Sequence, residues 1–460
     1  MMSPEMPTKE PNASHYHTLA EAIEKKQAHI AVLGLGYVGL PLALAFAESG
    51  FRVLGLDISP EKVAKLERGE SYIRHIESSR IAAARQGERF TASSDFRRLR
   101  QVDVALVCVP TPLGDHQEPD LSFVINTARS LRDNLRAGQL VVLESTTYPG
   151  TTEEVLLPIL EESGLRCHRQ KEGAEDSDFF LAFSPEREDP GNAKVDSRHV
   201  PKVVGGVNAP SLDLTCRLYR QVFTQVIPVS STYVAEMAKL LENIYRAVNI
   251  ALVNELKLLC LRMGVDVWEV IEAASTKPFG FTPFYPGPGL GGHCIPIDPF
   301  YLSWKAKEHS FPTRFIELAG EINTAMPYHV VEAVARALDR CGKTLSGSRI
   351  LVLGVAYKKD IDDVRESPAL KIMELLGDRG ARVSYHDPYV PRLHKMRRYN
   401  FALESVPLTE ETLRAHDCAL VVSDHSDVDY DLVVGECPLV VDTRNATRHV
   451  KNHRDRIVAC

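Results

Sequence analysis

The stretch HIAVLGLGYVGLPLALAFAESGFRVLGLDI, residues 29–58, decides the fold of the first third of the chain. A short apolar strand runs into Gly34-x-Gly36-x-x-Gly39, an Ala/Leu-rich helix follows, and a second strand ends at Asp57. These glycines permit a tight turn, close approach of the backbone to a pyrophosphate and close helix–strand packing. Strand, helix, second strand and carboxylate in this order predict a dinucleotide site on a doubly wound parallel sheet.

The same region and the next two strands supply the predicted cofactor site. Asp57 stands where a carboxylate binds the ribose hydroxyls and repels a 2′-phosphate, so the sequence favours NAD over NADP. Lys62 either covers the adenosine ribose or is a plain surface lysine. Because ligands lie outside the carboxyl ends of parallel strands, the ends of DVALVCVPTP (103–112) and QLVVLESTTYPGTT (139–152) belong to the site as well. The predicted cofactor-binding residues are Gly34, Leu35, Gly36, Tyr37, Val38, Gly39, Asp57, Lys62, Pro110, Thr111, Ser145 and Thr146. Helix capping is the alternative role for Thr146 and Thr147.

Length and composition exclude several classes of protein. A chain of 460 residues is too long for one hydrophobic core and predicts two or three domains. The net charge of -7 argues against binding to nucleic acid or to an anionic membrane, and no apolar run reaches the roughly 20 residues that span a bilayer. Nine dispersed cysteines without a CxxC pair favour neither a disulfide framework nor a zinc site, so we expect no metal and a reducing, cytoplasmic setting.

One cysteine stands apart in the loop PGPGLGGHCIPIDP, residues 286–299. Cys294 is set among glycines rather than in an apolar run, and from the residues alone it is a structural thiol, a metal ligand or a nucleophile. Asp298 precedes Pro299 and is expected to cap the following helix, which would place Cys294 just before a helix N-terminus and favour its thiolate.

A lysine and an asparagine share one helical face in AKLLENIYRAVNIALVNEL, residues 238–256. Lys239 and Asn243 are four residues apart, and a cation beside an amide can hold an alkoxide or oxyanion as charge develops. Such a pair is usually solvated surface. Here the apolar surroundings indicate a buried helix, in which a bare lysine is costly without a function.

Several motifs together resemble the UDP-glucose/GDP-mannose dehydrogenase family, over about residues 28–445. The motifs are GLGYVGLPLA (34–43), VPTP (109–112), ESTTYPGTT (144–152), FSPERED (183–189), GLGGHCIPID (289–298) and VLGVAYKKDIDDVRESPA (352–369). The resemblance implies oxidation of C6 of a nucleotide sugar from alcohol to carboxylate with two NAD. The loops look most similar to the branch that acts on UDP-N-acetylglucosamine, with UDP-glucose and UDP-N-acetylmannosamine as rival substrates.

The resemblance also implies roles for individual residues. Cys294 would carry a thiohemiacetal and then a thioester, Asp298 would assist it, and Glu186 would activate water. The implied catalytic residues are Cys294, Lys239, Asn243, Asp298, Glu186 and Thr146. The implied substrate-binding residues are Glu186, Arg187, Lys239, Asn243, Tyr285, Gly289, Gly291, Tyr357, Lys358 and Arg444.

Two positions depart from the family pattern. His293 stands where relatives often carry a serine, and its role is open. Many relatives carry an arginine in the substrate loop that reaches a neighbouring subunit, but residues 279–292 contain neither Arg nor Lys. Lys277 is the candidate replacement.

The expected architecture is α/β, with two Rossmann-like doubly wound domains joined by a central helical domain that contains a long buried helix. We expect a mobile leader at 1–24, an NAD-binding domain at 25–225, a central dimerisation domain at 226–340 and a UDP-binding domain at 341–460. The second α/β half, from RILVLGVAYKK onward, lacks GxGxxG and is expected to bind the UDP-sugar, with VVDTRNA (440–446) as its closing strand. A homodimer or higher homo-oligomer is expected. The alternatives are a two-electron hydroxyacid dehydrogenase and a non-catalytic nucleotide-sugar binding protein.

Overall fold

The computed structural model describes residues 14–73, 76–114, 117–169, 177–187, 197–292, 295–394, 396 and 399–460. The chain divides into two compact units, residues 1–241 and 242–460. Each unit has its own sheet and its own apolar core. The division expected from the sequence, with boundaries near 225 and 340, stays a prediction.

The first unit is built on a sheet that shows eight strands within the described residues, in the order β3-β2-β1-β4-β5-β6-β7-β8. All neighbouring pairs are parallel except β6 and β7, which are antiparallel. The apolar runs at the centre of the sheet are buried on both faces, as a parallel sheet covered by helices requires, whereas the edge strand at 226–229 is partly exposed. The strands are His29–Leu33 (β1), Arg52–Leu56 (β2), Phe90–Ser93 (β3), Val104–Val107 (β4), Leu140–Leu143 (β5), Phe180–Phe183 (β6), Lys202–Gly206 (β7) and Val226–Val229 (β8).

Helices follow most strands of this unit, so the doubly wound fold expected from residues 29–58 is confirmed. The helices are His15–Glu24 (α1), Gly39–Glu48 (α2), Pro60–Glu67 (α3), Ser78–Gln86 (α4), Ser122–Arg132 (α5), Leu157–Glu161 (α6) and Ala209–Arg220 (α7). A single π-helical turn, Thr151–Leu156, leads into α6.

The end of the expected mobile leader is ordered. Residues 14–24 contain α1, whose Leu19 and Ile23 are buried against the core of the first unit. The Tyr16 hydroxyl donates a hydrogen bond to Asp213 of α7 at 2.6 Å. The prediction of a mobile segment was wrong for this helix, because amphipathic spacing outweighs the polar composition of the segment before it. Residues 1–13 lie outside the described residues.

The helix Thr232–Met263 (α8) starts in the first unit and ends in the second. Its buried polar side chains share one face: Glu236, Lys239, Asn243, Asn254 and Lys257. Large apolar side chains lie on the opposite face and are exposed: Leu241, Tyr245, Leu252, Leu256, Leu259 and Met263. Within this chain, α8 is therefore buried on one face, which carries these polar residues together with the apolar Leu240, Ile244, Ala247 and Ala251.

The second unit continues with helices and a smaller parallel sheet. The helices are Val267–Ser275 (α9), Asp298–Ala306 (α10), Arg314–Arg340 (α11), Pro368–Asp378 (α12), Glu410–Arg414 (α13) and Tyr430–Glu436 (α14). The strands are Arg349–Leu353 (β9), Arg382–His386 (β10), Cys418–Val421 (β11), Val440–Asp442 (β12) and Ile457–Ala459 (β13), in the order β10-β9-β11-β12-β13. The expected second Rossmann-like sheet is confirmed.

The edge of this second sheet differs from the expectation. The motif VVDTRNA was expected to contain the closing strand, but β13 pairs in parallel with β12 beyond it. A three-residue strand such as β13 is too short for its pattern to be distinguished from a loop in the sequence. No helix among the described residues is long and apolar enough to cross a membrane.

The glycine turn after β1 depends on the absence of side chains. Gly34 has φ of +92° and donates its N–H to the Leu56 carbonyl oxygen at 2.8 Å. A Cβ on Gly39 would lie 1.9 Å from the Gly34 carbonyl oxygen, whereas a Cβ on Gly36 would meet no atom within 4 Å. Gly39 therefore sets how closely α2 packs on the turn, and Gly36 faces open space.

We expect Gly39→Ala to destabilise the protein by about 3 kcal/mol or more, because the methyl group forces α2 away from the turn. Gly36→Ala is the matched control, and its free energy of unfolding should stay within about 0.5 kcal/mol of the wild type. Denaturant unfolding followed by circular dichroism measures both. Equal losses in the two variants would contradict this account of the turn.

Candidate active site

The carboxylate of Asp57 organises the glycine turn of the first unit. Its Oδ2 accepts the Leu35 N–H at 2.9 Å and its Oδ1 accepts the Ser59 N–H at 2.9 Å. Lys62 Nζ lies 3.5 Å from Asp57 Oδ2, so Lys62 belongs to this end of the sheet. The open space beside Gly36, next to the N-terminus of α2, fits a pyrophosphate that needs close backbone approach.

Predicted residues after β4 and β5 lie at the same edge of the sheet as Asp57. Thr111 is buried, whereas Pro110 and Thr146 retain access to solvent. Ser145 donates its hydroxyl to the Val109 carbonyl oxygen at 2.7 Å and so ties the two strand ends together. Because β4 and β5 are parallel neighbours, these segments come together at the carboxyl edge, where the sequence places the cofactor.

Thr146 and Thr147 do not cap the helical segment that follows them. That segment begins at Thr151 with Gly150 as its N-cap. The buried carboxylate of Glu236 accepts the Gly150 N–H at 2.6 Å, the Thr152 N–H at 2.9 Å and the Thr152 hydroxyl at 2.7 Å. Burial nevertheless raises the pKa of Glu236 to about 7. Helix α8 therefore supplies the cap, and Thr146 remains a candidate for the cofactor site.

Glu186 belongs to a buried ionic cluster with Lys202 and Glu144. Lys202 Nζ lies 2.5 Å from Glu144 Oε2 and 3.2 Å from Glu186 Oε2. The side chain of Lys202 is 2% exposed, that of Glu144 0% and that of Glu186 16%. Glu186 Oε1 also accepts the N–H of Arg187 at 2.7 Å, and Arg187 Nη1 donates to the Pro201 carbonyl oxygen at 2.7 Å.

The two carboxyl groups of this cluster respond in opposite directions. Burial acts to raise the pKa of Glu186, but attraction and hydrogen bonding to Lys202, with further attraction to Lys239, outweigh it and lower that pKa. Burial, together with repulsion from Glu186, raises the pKa of Glu144 despite its contact with Lys202. Lys239 thus acts electrostatically on Glu186, which brings together two of the predicted catalytic residues.

In the second unit, Asn243 and Asp298 form a buried pair. Asn243 Nδ2 donates to Asp298 Oδ2 at 2.5 Å, and both side chains are almost fully inaccessible to solvent. Asp298 is the first residue of α10 rather than its N-cap, which is Ile297 and makes no side-chain cap. The expectation that Asp298 caps this helix was wrong, because its carboxylate is directed to α8 instead.

An amide chain holds the glycine-rich loop in the same unit. Asn254 Oδ1 accepts the Gly287 N–H at 2.9 Å, Asn254 Nδ2 donates to Asn323 Oδ1 at 2.9 Å, and Asn323 Nδ2 donates to the Ala247 carbonyl oxygen at 3.0 Å. A Cβ on Gly291 would lie 2.6 Å from the Tyr357 Cβ, so this glycine allows the loop to pack on Tyr357. His293 and Cys294 lie outside the described residues.

The remaining predicted substrate residues lie on two parts of the second unit. Arg444 follows β12; its Nε lies 3.3 Å from Asp424 Oδ1, and its guanidinium lies close to Gly287. Tyr357 and Lys358 follow β9, where Tyr357 donates its N–H to the Asp363 carbonyl oxygen at 3.0 Å. A Cβ on Gly289 would lie 3.1 Å from the Pro368 side chain.

Two exposed side chains accompany this loop. Tyr285 is half exposed and stacks on Trp268 with ring centroids 5.8 Å apart. Lys277, the candidate replacement for the substrate-loop arginine, lies over the Phe279 ring at 5.1 Å. Neither lies in a buried polar cluster of the kind formed by Glu186 or Asp298.

Glu144, Lys202, Glu236 and Lys257 are among the buried charged residues that the sequence did not predict. Lys257 Nζ has no hydrogen-bond partner among the described residues, and burial lowers its pKa. Glu144 and Lys202 carried a usable signal, since each is a charged residue directly attached to an apolar strand in LVVLE and KVVGG. A charge at such a point needs a partner, but the sequence does not say which.

Comparison with known proteins matches the whole architecture to one family. Three domains of the UDP-glucose/GDP-mannose dehydrogenase family match in order: the NAD binding domain at residues 28–223, the central domain at 233–325 and the UDP binding domain at 351–449.

Individual relatives agree with these domain matches. A UDP-N-acetyl-D-glucosamine 6-dehydrogenase of Pseudomonas aeruginosa is 34% identical over 87% of this chain and 92% of its own length. A UDP-N-acetyl-D-mannosamine dehydrogenase of Pyrococcus horikoshii is 36% identical over 86% and 90%. The solved structure of a UDP-D-ManNAc dehydrogenase from Pyrococcus horikoshii aligns with a TM-score of 0.82 over 94% of this chain and 98% of its own, at 34% identity. The dinucleotide site of the first unit is thus an NAD site.

We expect the effects of substituting Asn243 and Asp298 on the free energy of unfolding to be strongly coupled. Asn243→Ala and Asp298→Ala should each destabilise the protein by about 2–3 kcal/mol, because each leaves a buried polar group without its partner. The double variant should lose about 1–3 kcal/mol less unfolding free energy than the sum of the losses in the two single variants. Urea unfolding of the four proteins measures this coupling. Asn243→Ala combined with Asp417→Ala, whose partner is Lys343, is the additive control, and additivity in the test pair would refute the contact.

Proposed function

The chain belongs to the UDP-glucose/GDP-mannose dehydrogenase family, and we propose that it oxidises C6 of UDP-N-acetylglucosamine to UDP-N-acetylglucosaminuronate with two NAD. The observation that supports the four-electron reaction is Glu186, a largely buried carboxylate that still reaches solvent and whose pKa is lowered by Lys202 and Lys239. An ionised carboxylate of this kind suits the activation of water, a step that a two-electron alcohol dehydrogenase does not need.

The proposed chemistry assigns each cluster a task. NAD, held by the turn at Gly34–Gly39 and by Asp57, supplies the hydride acceptor. Lys239 and Asn243 lie one helical turn apart on the buried face of α8 and stabilise the oxygen at C6 as negative charge develops. The Cys294 thiolate adds to the aldehyde carbon to give a thiohemiacetal, whose oxidation gives a thioester. Glu186 then takes a proton from the water that cleaves the thioester.

Asp298 supports this scheme through Asn243. The Asp298 carboxylate accepts a hydrogen bond from the Asn243 amide and so fixes the position of the amide nitrogen. Lys239 lies one helical turn earlier on the same helix, α8. The nucleotide of the substrate is assigned to the second unit, where the family's UDP binding domain matches and where Lys358, Tyr357 and Arg444 lie. Arg444 beside Gly287 supplies a cation suited to the diphosphate.

UDP-N-acetyl-D-mannosamine is the second candidate substrate. The most similar relatives include enzymes for both N-acetylated sugars, at 34% and 36% identity, so overall similarity does not separate them. The two sugars differ in configuration at C2, and the side chains around that carbon decide between them. The product of either reaction is a UDP-activated uronic acid for surface polysaccharide synthesis, which we place in the cytoplasm.

We expect the purified protein to release about two NADH for each molecule of UDP-N-acetylglucosamine consumed. The test is a panel of UDP-N-acetylglucosamine, UDP-N-acetylmannosamine and UDP-glucose, with NADH absorbance and chromatography of the sugar product. A higher kcat/KM for UDP-N-acetylmannosamine would replace the proposed substrate. One NADH per sugar with accumulation of aldehyde would overturn the four-electron reaction.

The same panel includes Cys294→Ser, with Cys260→Ser as the control at a cysteine on α8. A serine oxygen cannot form the thioester. We therefore expect the rate of free-acid release by Cys294→Ser to fall by about 100-fold or more. The Cys260 variant should behave as the wild type. Wild-type turnover in Cys294→Ser would remove that residue from the mechanism.

We further propose a homodimer formed through the apolar stripe of α8, defined as Leu241, Tyr245, Leu252, Leu256, Leu259 and Met263. These residues recur at spacings of three, four and seven, so they form a continuous band along one side of the helix. Leu252 is 54% exposed and Met263 66%, which is a large apolar area for a helix to leave in water. A second copy of α8 presents the same surface and can cover it.

We expect Leu252→Glu to convert the dimer to a monomer, since it would bury a carboxylate in the stripe without a partner. Light scattering coupled to size-exclusion chromatography measures the mass. Arg246→Glu, an equally drastic charge change on the same helix away from the stripe, should leave the mass unchanged. A dimer that survives Leu252→Glu at micromolar concentration would rule out this interface.

A further inference from the structure

The Glu186 cluster contains two charged residues that no role in the reaction yet accounts for. Glu144 directly follows β5, and Lys202 begins β7; neither is among the implied catalytic residues, although Glu144 opens the motif ESTTYPGTT. Both are fully buried, and burial of an ion costs several kcal/mol unless partners offset it. A cluster of this kind either is a structural ion pair or sets the position and protonation state of Glu186.

The reversal of β7 explains how the cluster forms. In the antiparallel pair, Phe183 lies opposite Gly205. Moving three residues on from Phe183 and three back from Gly205 places Glu186 opposite Lys202, at the carboxyl edge of the sheet. A parallel β7 would have put Lys202 at the other edge. Glu144 reaches the same point because β5 is the parallel neighbour of β6.

The surroundings hold Lys202 in place and keep its charge. Its ammonium lies 5.3 Å from the Tyr219 ring centroid and 5.5 Å from that of Phe223, and both rings favour a cation. The Tyr219 hydroxyl donates a hydrogen bond to Glu144, which fixes the second carboxylate. One ammonium therefore serves two carboxylates, of which only Glu186 reaches solvent, at 16% exposure.

We propose that Lys202 is a positioning residue for hydrolysis, which holds Glu186 in place and ionised as the acceptor of the water proton, while Glu144 anchors Lys202. The inference rests on the proposed function. In the step concerned, a water oxygen bonds to the thioester carbonyl carbon and one water proton passes to Glu186. The C–S bond then breaks, its electron pair returns to the Cys294 sulfur as a thiolate, and the sugar carboxylic acid is released.

The two carboxyl groups, Glu144 and Glu186, differ in how readily each binds a proton. The two carboxylates around Lys202 differ in burial, and the fully buried Glu144 binds a proton more readily than Glu186. The opposite pKa shifts of Glu186 and Glu144 follow that order. The charge of Lys202 thus favours the anion at the one position from which it can contact water.

The test is the pH dependence of thioester hydrolysis. Hydrolysis follows both hydride transfers, so an enzyme slow in this step releases a burst of about two NADH per active site and then turns over slowly. In Lys202→Met, we expect the burst to remain and the slow phase to fall by about 10- to 100-fold. The acid limb of the pH–rate profile of Lys202→Met should move to higher pH, because the pKa of Glu186 rises when the cation is removed. Lys202→Arg should restore both the rate and the acid limb.

Glu144→Gln should shift the acid limb of the pH–rate profile in the opposite direction. This variant keeps the test valid if Lys202→Met does not fold. Without the second carboxylate, Lys202 acts on Glu186 alone, so the acid limb should move to lower pH than in the wild type. A purely structural bridge would lower the amount of folded enzyme without moving the acid limb. Unchanged acid limbs in both variants would overturn the inference.

Glu186→Gln separates this inference from the proposed function. If hydrolysis is slow in Glu186→Gln but the acid limbs of the Lys202 and Glu144 variants do not move, only the positioning role fails. If Glu186→Gln hydrolyses the thioester at the wild-type rate, the role proposed for Glu186 fails and the inference fails with it.

Discussion

The free energy cost of burying charge constrains the candidate site more than any single contact. Lys202, Glu144 and Glu236 are each removed from water, and each is tolerated because neighbouring groups supply the hydrogen bonds and charge that water would give. Removing one member of such a set leaves the others uncompensated. Each set is therefore held in one arrangement, which is the kind of placement that oriented catalysis requires.

The sheet of the first unit places Glu144 and Lys202 at one edge. In a wholly parallel sheet, the carboxyl edge receives residues only from strand ends, as with Asp57 after β2 and Glu144 after β5. The reversed β7 brings a strand beginning to the same edge and so adds Lys202. One antiparallel neighbour thus changes which side chains reach the site without changing the doubly wound architecture of the NAD-binding region.

Short-range features could be predicted from the sequence, and long-range pairings could not. The segment from β1 to Asp57 follows from glycine placement and apolar spacing within thirty residues, and the structure agrees with it. Glu144 and Lys202 are 58 residues apart in sequence, and their contact depends on the orientation of β7, which no local pattern encodes. Asp298 shows the same limit: the Asp-Pro pair correctly indicated a helix start, but the partner of its carboxylate lies 55 residues earlier.

Helix α8 carries buried polar residues on one face and exposed apolar residues on the other. A helix of a monomer exposes few large apolar side chains, whereas α8 exposes Leu252 and Leu259 and buries Lys239 and Asn243 beside apolar residues such as Leu240. Burying polar residues on one face gives up the hydrophobic stabilisation that this helix would otherwise contribute. A partner that covers the opposite face restores it, because apolar area removed from water contributes about 25 cal/mol per Å². In the proposed dimer, one face of α8 holds Lys239 and Asn243 for the proposed chemistry, and a second subunit covers the opposite face.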